Sequence, residues 1–286
     1  MTAPARVVAL VPTYNGAAFV AATLASLAAQ DHPALTVLVS DDASTDETHA
    51  ICAAAAARDP RVTLLRQPTR LGWIGNSNTL LARADGDYAF FAPHDDLFAP
   101  TYVSQLLAAL AARPDAVLAY ADTVGIEPDG RESLRTAARV VQPGGRVRRG
   151  LAWVLVDTWD RWTPFRGLVR MAVLRRVGGL RPSRAGEPEA DGRWLFRLNL
   201  LGPFVRVPEV LCWKRIHPTS LNRSWSRWRR VQLATRAAYV REVLAADLRP
   251  AERAALLAAI GAAIALRVLP WHLRSPIAGT LRRLGV

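Results

Sequence analysis

The sequence predicts an α/β fold with a mostly parallel sheet, helices on both of its faces and additional C-terminal helices. Three observations predict it. Short apolar runs rich in β-branched residues alternate with alanine-rich helical segments over the first 120 residues. Those runs are continuously apolar rather than alternating, as in strands covered on both sides. Each of three runs ends in a polar cluster. In open α/β sheets such carboxyl ends are where ligands bind.

The elements follow in order. RVVALV (6–11) is the first strand and AAFVAATLASLAAQ (17–30) the first helix. LTVLVS (35–40) is a second strand, with an alanine-rich helix over 46–58. RVTLLR (61–66), a helix over 74–83 and DYAFFA (87–92) continue the alternation. A helix over 102–113 and AVLAYAD (116–122) close the regular part. GIEPDGRE (125–132) is turn-rich, and PGGRVRRG (143–150) reads as a basic, glycine-rich loop. Residues 191–201 read as a helix, and two helices fill 225–269. In the tail, Ile277, Leu281 and Leu284 share a helical face beside Arg274, Arg282 and Arg283, the pattern of an interfacial helix. Residues 1–222 are expected to form one domain, with halves 1–97 and 98–222, and 223–286 a basic helical extension.

The chain has 286 residues and a formal charge of +13. Residues 1–135 hold nine arginines against fifteen acidic residues, a net of −6; residues 136–286 hold 28 basic against nine acidic residues, a net of +19. An acidic half suits a cation, and a basic half suits an anionic ligand or membrane surface. Cys52 and Cys212 are too isolated for a metal framework and imply a reducing compartment. The N-terminus lacks a secretory pattern, and the longest uncharged apolar run, Ala254 to Leu266, is 13 residues, short of a membrane span. A cytoplasmic protein touching the inner membrane face is therefore expected.

The polar clusters are PTYNG (12–16), DDASTDET (41–48) and HDD (94–96). Asp42, at a strand end, can accept from a base N–H or a ribose hydroxyl, and Asp46 or Ser44 can cap the next helix. No GxGxxG is present, which removes the simplest dehydrogenase reading. Asp95 and Asp96 repel one another, and such a pair suits Mg²⁺ or Mn²⁺. His94 is either a third ligand or structural.

VVALVPTYNGAAFVAATLASLAAQ, VLVSDDASTDET and LGWIGNSNTLLARADGDYAFFAPHDD, in that order, resemble family 2 nucleotide-diphospho-sugar glycosyltransferases, whose fold is of the Rossmann-like GT-A type. The resemblance covers about 1–220. It implies that Pro12, Thr13 and Tyr14 line the nucleotide pocket and that Asp42 contacts the base. Gly72 would allow close backbone approach, and Asn78 would sit near the donor. Asp95 would face the ribose or sugar, and Asp96 would hold the metal. The motif here is H-D-D rather than D-x-D.

Residues 164–202 resemble the family's acceptor segment and put Asp191 on its catalytic base. The acidic residue that precedes that base in the family is Ala190 here, with Glu189 one step away. Asp191 also suits a helix N-cap, and the two roles are compatible. KRIHPTSLNRS (214–224) resembles the closing motif, in which His217 completes the metal site or orders a loop, and Arg215 and Arg223 neutralise phosphates. Trp153, Trp159 and Trp162 are either core or an acceptor-stacking cluster.

The resemblance implies inverting, metal-dependent transfer of one sugar from a UDP-, dTDP- or GDP-linked donor. The acceptor would be a glycan or lipid-linked hydroxyl in bacterial cell-surface polysaccharide synthesis. A sugar nucleotidyltransferase would need a glycine-rich basic loop after strand one, which is missing. A nucleic-acid-binding protein would explain the +19 half, but not four carboxylates at strand ends. Nucleic acid is not an expected partner.

Overall fold

The structure is a computed structural model. It describes residues 3–135, 144–155, 159–184, 186–187, 189–217 and 228–268. The expected amphipathic tail and Arg223 lie outside these residues.

The first half is the alternation read from the sequence. Strand β1 (Val7–Thr13) leads to α1 (Val20–Ala28), β2 (Leu35–Asp41) to α2 (Thr48–Arg58), β3 (Val62–Arg66) to α3 (Gly72–Arg83), and β4 (Tyr88–Phe91) follows. These four strands are parallel in the order β3-β2-β1-β4. The chain first winds outward from β1 to β3, then returns to the other side of β1. That reversal leaves a crevice between the carboxyl ends of β1 and β4.

Beyond β4 the sheet departs from the parallel expectation and becomes mixed. It continues through β8 (Leu168–Arg170), β6 (Leu118–Ile126), β9 (Phe204–Arg215) and β5 (Asp96–Phe98). β8 runs antiparallel to both β4 and β6, and β5 antiparallel to β9, whereas β6 and β9 are parallel. The turn-rich 125–132 stretch closes a hairpin onto β7 (Glu132–Arg135), with Gly130 at φ 80°, a left-handed angle that glycine adopts without strain.

Alternate β1 residues feed two cores. Val7, Ala9 and Val11 pack with α1 and with α4 (Tyr102–Ala112). Val8 and Leu10 join the larger cluster on the other face. That cluster includes residues of α3, α5 (Arg146–Leu155), α6 (Met171–Val177), α7 (Ala190–Leu201), α8 (Trp228–Ala245) and α9 (Pro250–Val268).

The expected loop over 143–150 is thus corrected: from Arg146 onward it is the start of α5. Ala152, Trp153 and Val154 on that helix are buried, and a Cβ on Gly150 would run into Leu256 of α9. Bare backbone lets the two helices approach, and this tertiary contact overrides the local turn composition. Trp153 is fully buried in this core. The C-terminal helices belong to the same core, since Tyr239, Val243, Leu256 and Ile260 pack in one cluster with Trp153 and Trp194. Among the described residues no helix is long and apolar enough to cross a membrane.

Leu256→Ala is expected to lower unfolding free energy by about 2–5 kcal/mol. Urea melts followed by circular dichroism and tryptophan fluorescence should coincide in one transition. Two separated transitions would show that α8 and α9 fold apart from the sheet.

Candidate active site

The loops after β1 and β2 are knitted into one surface. Asn15 N–H donates to Ser44 Oγ (2.9 Å) and Gly16 N–H to Thr48 Oγ1 (2.8 Å). In return Thr45 N–H donates to Asn15 Oδ1 (2.9 Å). Asp46 accepts from Thr48 N–H at the start of α2 and from Ala17 N–H, so it binds the two loops together. Asn76 of α3, 2% exposed, donates to the Ser40 carbonyl (2.9 Å) and holds the helix on the strand ends.

Asp42 is buried at the N-terminus of α3. Its two oxygens accept from Leu71 N–H (2.6 Å) and Gly72 N–H (3.0 Å), and each retains a second lone pair. Burial pushes its carboxyl up from the ordinary value, tempered by those two donors and by Arg70. The Arg70 guanidinium lies 4.0 Å over the Tyr14 ring, which makes a cation–π lid at the rim. Thr13 is buried and its hydroxyl has no partner among the described residues, and half-buried Pro12 accepts from the His94 ring at 3.3 Å through its carbonyl. A Cβ on Gly16 would strike the His94 ring, which is packed against the β1 loop.

The adjacent carboxylates point into different surroundings. Asp96, expected to hold the metal, is fully buried and ion-paired to Arg166 Nε. Arg166 sits at the end of the 3-10 helix Trp159–Arg166, and Tyr102 O–H donates to its carbonyl (2.6 Å). Burial acts to neutralise Arg166, but Asp96 beside it wins and keeps the guanidinium charged. The physical reason is register: β5 places Asp96 and Phe98 on its buried face.

Asp95 stands one residue earlier, at the edge of the crevice, with its Oδ2 3.1 Å from His217 Nε2. Their side chains are 15% and 14% exposed. Burial works against the Asp95 charge, but the His217 hydrogen bond and the charges of Lys214, His94 and Arg166 outweigh it. They hold the carboxyl well below the usual range. The His217 ring packs 4.6 Å from Phe19, and Arg215 donates to the Asp95 carbonyl (3.3 Å).

A carboxylate and an imidazole this close suit a divalent cation such as Mn²⁺. Asp96 lies behind them with its charge matched by Arg166, and among the described residues its Oδ1 has no hydrogen-bond partner. Among the described residues no group of three or more His, Cys, Asp or Glu could hold a metal. The protein would therefore supply two ligands there, with diphosphate oxygens and water completing the shell.

The second half approaches through α7. Asp191 is its second residue, half-buried, with Oδ1 accepting from Gly192 N–H (2.8 Å); the N-cap is Glu189, not Asp191. Trp162 packs over this turn, within 3.2 Å of where a Gly192 Cβ would be. The loop before α7 docks onto the N-terminus of α3. Glu187 Oε1 accepts from Ile74 N–H (3.4 Å) and crowds Gly72, whose φ of 75° and missing Cβ make room for it. Asp42 and Glu187 thus both reach the N-terminus of α3. Among the described residues the non-glycine positions with positive φ are Asn15, Ala43 and Glu189, all in these loops. Such backbone is held only where its surroundings dictate it.

Asn78, expected near the donor, is engaged within the fold. Its amide pairs with the Leu180 backbone, donating to O (3.0 Å) and accepting from N–H (2.8 Å), and so ties α3 to the loop after α6. That loop is also held by two arginines of α7. Arg193 donates to the Arg181 carbonyl (2.7 Å) and Arg197 to the Val177 carbonyl (3.0 Å). Glu242 of α8, 4% exposed, lies 3.6 Å from Arg197 and 3.2 Å from Arg181.

Sequence reasoning missed Arg166, Asn76, Glu187 and Glu242. For Asn76 a signal existed: Leu80 is core, and position 76 lies one turn before it on the same face of α3.

Residues 8–176 match the sequence model of glycosyl transferase family 2. The chain belongs to that family. It is 25% identical over 221 residues to an uncharacterised glycosyltransferase of Nostoc sp., covering 74% of this chain and 65% of that relative. It spans smaller shares of the other curated relatives it matches. Among solved structures, S. aureus TarS 1–349 in complex with UDP-GlcNAc superposes with a TM-score of 0.68 at 19% identity. That match covers 89% of this chain and 71% of TarS 1–349. The mannosyltransferase PcManGT from Pyrobaculum calidifontis, in complex with GDP-Man and Mn²⁺, gives 0.59 at 19% identity, covering 99% and 81%. At these identities the structural neighbours establish the GT-A fold of this family 2 chain.

Arg166→Met, which leaves the Asp96 charge buried and unpaired, is expected to cost about 3–5 kcal/mol in urea unfolding. Adding Asp96→Asn should recover part of that loss. An additive double variant would show that the two side chains are not coupled.

Proposed function

We propose that this family 2 chain transfers a single sugar, with inversion, from a nucleoside-diphosphate sugar to a hydroxyl of a glycan or lipid-linked acceptor. The observation that carries the reading is the meeting of two helix N-termini. The loop that leads into Asp191 docks through Glu187 onto the α3 N-terminus, beside Asp42. Asp191 is thereby held close to the loops suited to a nucleotide.

In this reading Asp42 keeps its two backbone donors and accepts a base N–H on a remaining lone pair, while Tyr14 and Arg70 form the rim. Asp95 and His217 hold Mg²⁺ or Mn²⁺, where the resemblance paired Asp96 with His217. The cation, when bound, offsets the negative charge that builds on the departing diphosphate. Asp96 acts behind it by fixing Arg166 and the turn that carries Asp95.

Asp191 accepts the acceptor hydroxyl proton as that oxygen forms its bond to the anomeric carbon. The bond from that carbon to the diphosphate oxygen breaks, and the electron pair leaves with the nucleoside diphosphate. One displacement on the face opposite the leaving group inverts the anomeric centre. Trp162, over the same turn, suits one face of an acceptor sugar ring. The neighbours crystallised with UDP-GlcNAc and with GDP-Man plus Mn²⁺ support the donor class and the cation.

Two measurements test the reading. Asp191→Asn should lower transfer by about 10²–10⁴-fold and leave nucleotide-induced thermal stabilisation intact. Transfer at the wild-type rate would remove Asp191 as the base. In melts with UDP-, dTDP- and GDP-sugars, Mn²⁺ should add to the stabilisation by one donor class. That Mn²⁺ increment should vanish in Asp95→Ala and His217→Ala; an unchanged increment in both would place the cation elsewhere.

A further inference from the structure

At the end of α7 remote from Asp191, a cavity of about 540 Å³ opens between α5, the last turn of α7 and the turn joining α8 to α9. Its charged lining is unusual for a place with no assigned role. Three arginines face it, Arg146, Arg149 and Arg249, against Asp247 and Glu252.

Arg149 is the informative one. It is 8% exposed, and its hydrogen bonds go to two backbone carbonyls, Asn199 O from Nε (2.9 Å) and Gly144 O from one terminal nitrogen (2.7 Å). Among the described residues no carboxylate pairs with it; Asp115 acts on it only from a distance. Burial, with Arg146 nearby, pulls its pKa down from the ordinary arginine value. A buried guanidinium held by carbonyls alone carries charge that the protein has left uncompensated.

The acidic residues do not offset this. Glu252 is engaged, accepting from Arg249 N–H (2.9 Å) with Arg146 at 3.7 Å. Arg146 also donates to the Asp247 carbonyl (2.6 Å), which fixes it at the cavity wall. Asp247 is exposed and works against an anion, as does Glu252 so far as Arg146 leaves its charge unmatched. The Arg249 side chain is exposed and makes no hydrogen bond or ion pair among the described residues. It stands just before the first turn of α9, where helix N–H groups favour negative charge.

We propose that this cavity binds a phosphate or diphosphate group carried by a ligand other than the donor nucleotide. Guanidinium forks match phosphate oxygens in pairs, and one fork here is already buried and oriented. From Asp191 to Leu200 the helix rises roughly 14 Å, which separates this site from the loops assigned to the donor. The phosphate belongs either to an anionic acceptor or to a lipid headgroup. The inference stands on the cavity itself and does not depend on the donor assignment.

The test uses the full chain in EDTA without nucleotide, titrated calorimetrically with inorganic pyrophosphate. Arg249→Gln and Arg146→Gln are each expected to weaken binding about tenfold, the loss of one charge-assisted contact. Arg149→Lys, which keeps the charge and removes the fork, should do the same. If that variant fails to fold, Arg249→Gln decides, because the exposed Arg249 side chain makes no hydrogen bond or ion pair among the described residues. No pyrophosphate binding to the wild type, or equal affinity in Arg249→Gln and Arg146→Gln, overturns the proposal.

A second arm measures co-sedimentation with phosphatidylcholine vesicles with and without phosphatidylglycerol. Binding to the anionic vesicles that falls about tenfold in the same variants assigns the phosphate to a lipid headgroup. A pyrophosphate effect without a vesicle effect assigns it to an anionic acceptor. Melts with UDP-sugar and Mn²⁺ on these variants should match the wild type, so failure of the donor site would be read separately.

Discussion

The buried pair of Asp96 and Arg166 is the constraint around which the site is arranged. A carboxylate with no solvent exposure is tolerated only beside a partner, and Arg166 is that partner. Arg166 ends the 3-10 helix that leads into β8, while Asp96 begins β5 on the far side of the sheet order. Their contact therefore draws a distant part of the chain onto the turn after β4. It also decides which of two neighbouring carboxylates is available: with Asp96 turned inward, Asp95 is left at the crevice facing His217.

The same region is held from below by aromatic packing. Phe91, at the end of β4, stacks on Phe165 at 4.7 Å, and Trp194 of α7 meets both rings edge-on. Phe165 immediately precedes Arg166, and Trp194 lies three residues after Asp191. One apolar cluster thus sets the relative positions of the HDD turn, the Arg166 anchor and the helix that carries Asp191. Edge-on and offset rings resist sliding because their quadrupoles favour particular contacts. Precision at the polar surface follows from packing beneath it.

The parallel half of the fold was legible because its signals are local. Continuous apolar runs, their lengths and the polar clusters at their ends are set within a few residues of one another. Helix α5 was not legible, because its buried face of Ala152, Trp153 and Val154 and the close approach of Gly150 to Leu256 are packing features, the latter across more than a hundred residues of chain. The two carboxylates show the limit more sharply. As a bare pair they are interchangeable. Alternation in Asp-Leu-Phe could have resolved them, since Asp96 shares a face with Phe98, and Phe98 is core.

Charge pairing across the fold was the least legible part. Arg193 and Arg197 read as ordinary helix residues, yet both are buried and hold carbonyls of the loop between α6 and α7. Buried arginines need an anion, and here it is Glu242, on a helix that local sequence marks only as an extension. α8 therefore takes part in fixing the segment that delivers Asp191. The +19 half is accordingly not a uniform basic surface. Part of its charge is internal and works on backbone carbonyls, as Arg149, Arg193 and Arg197 do. Only the remainder, Arg249 among it, faces solvent where an anionic partner can be met.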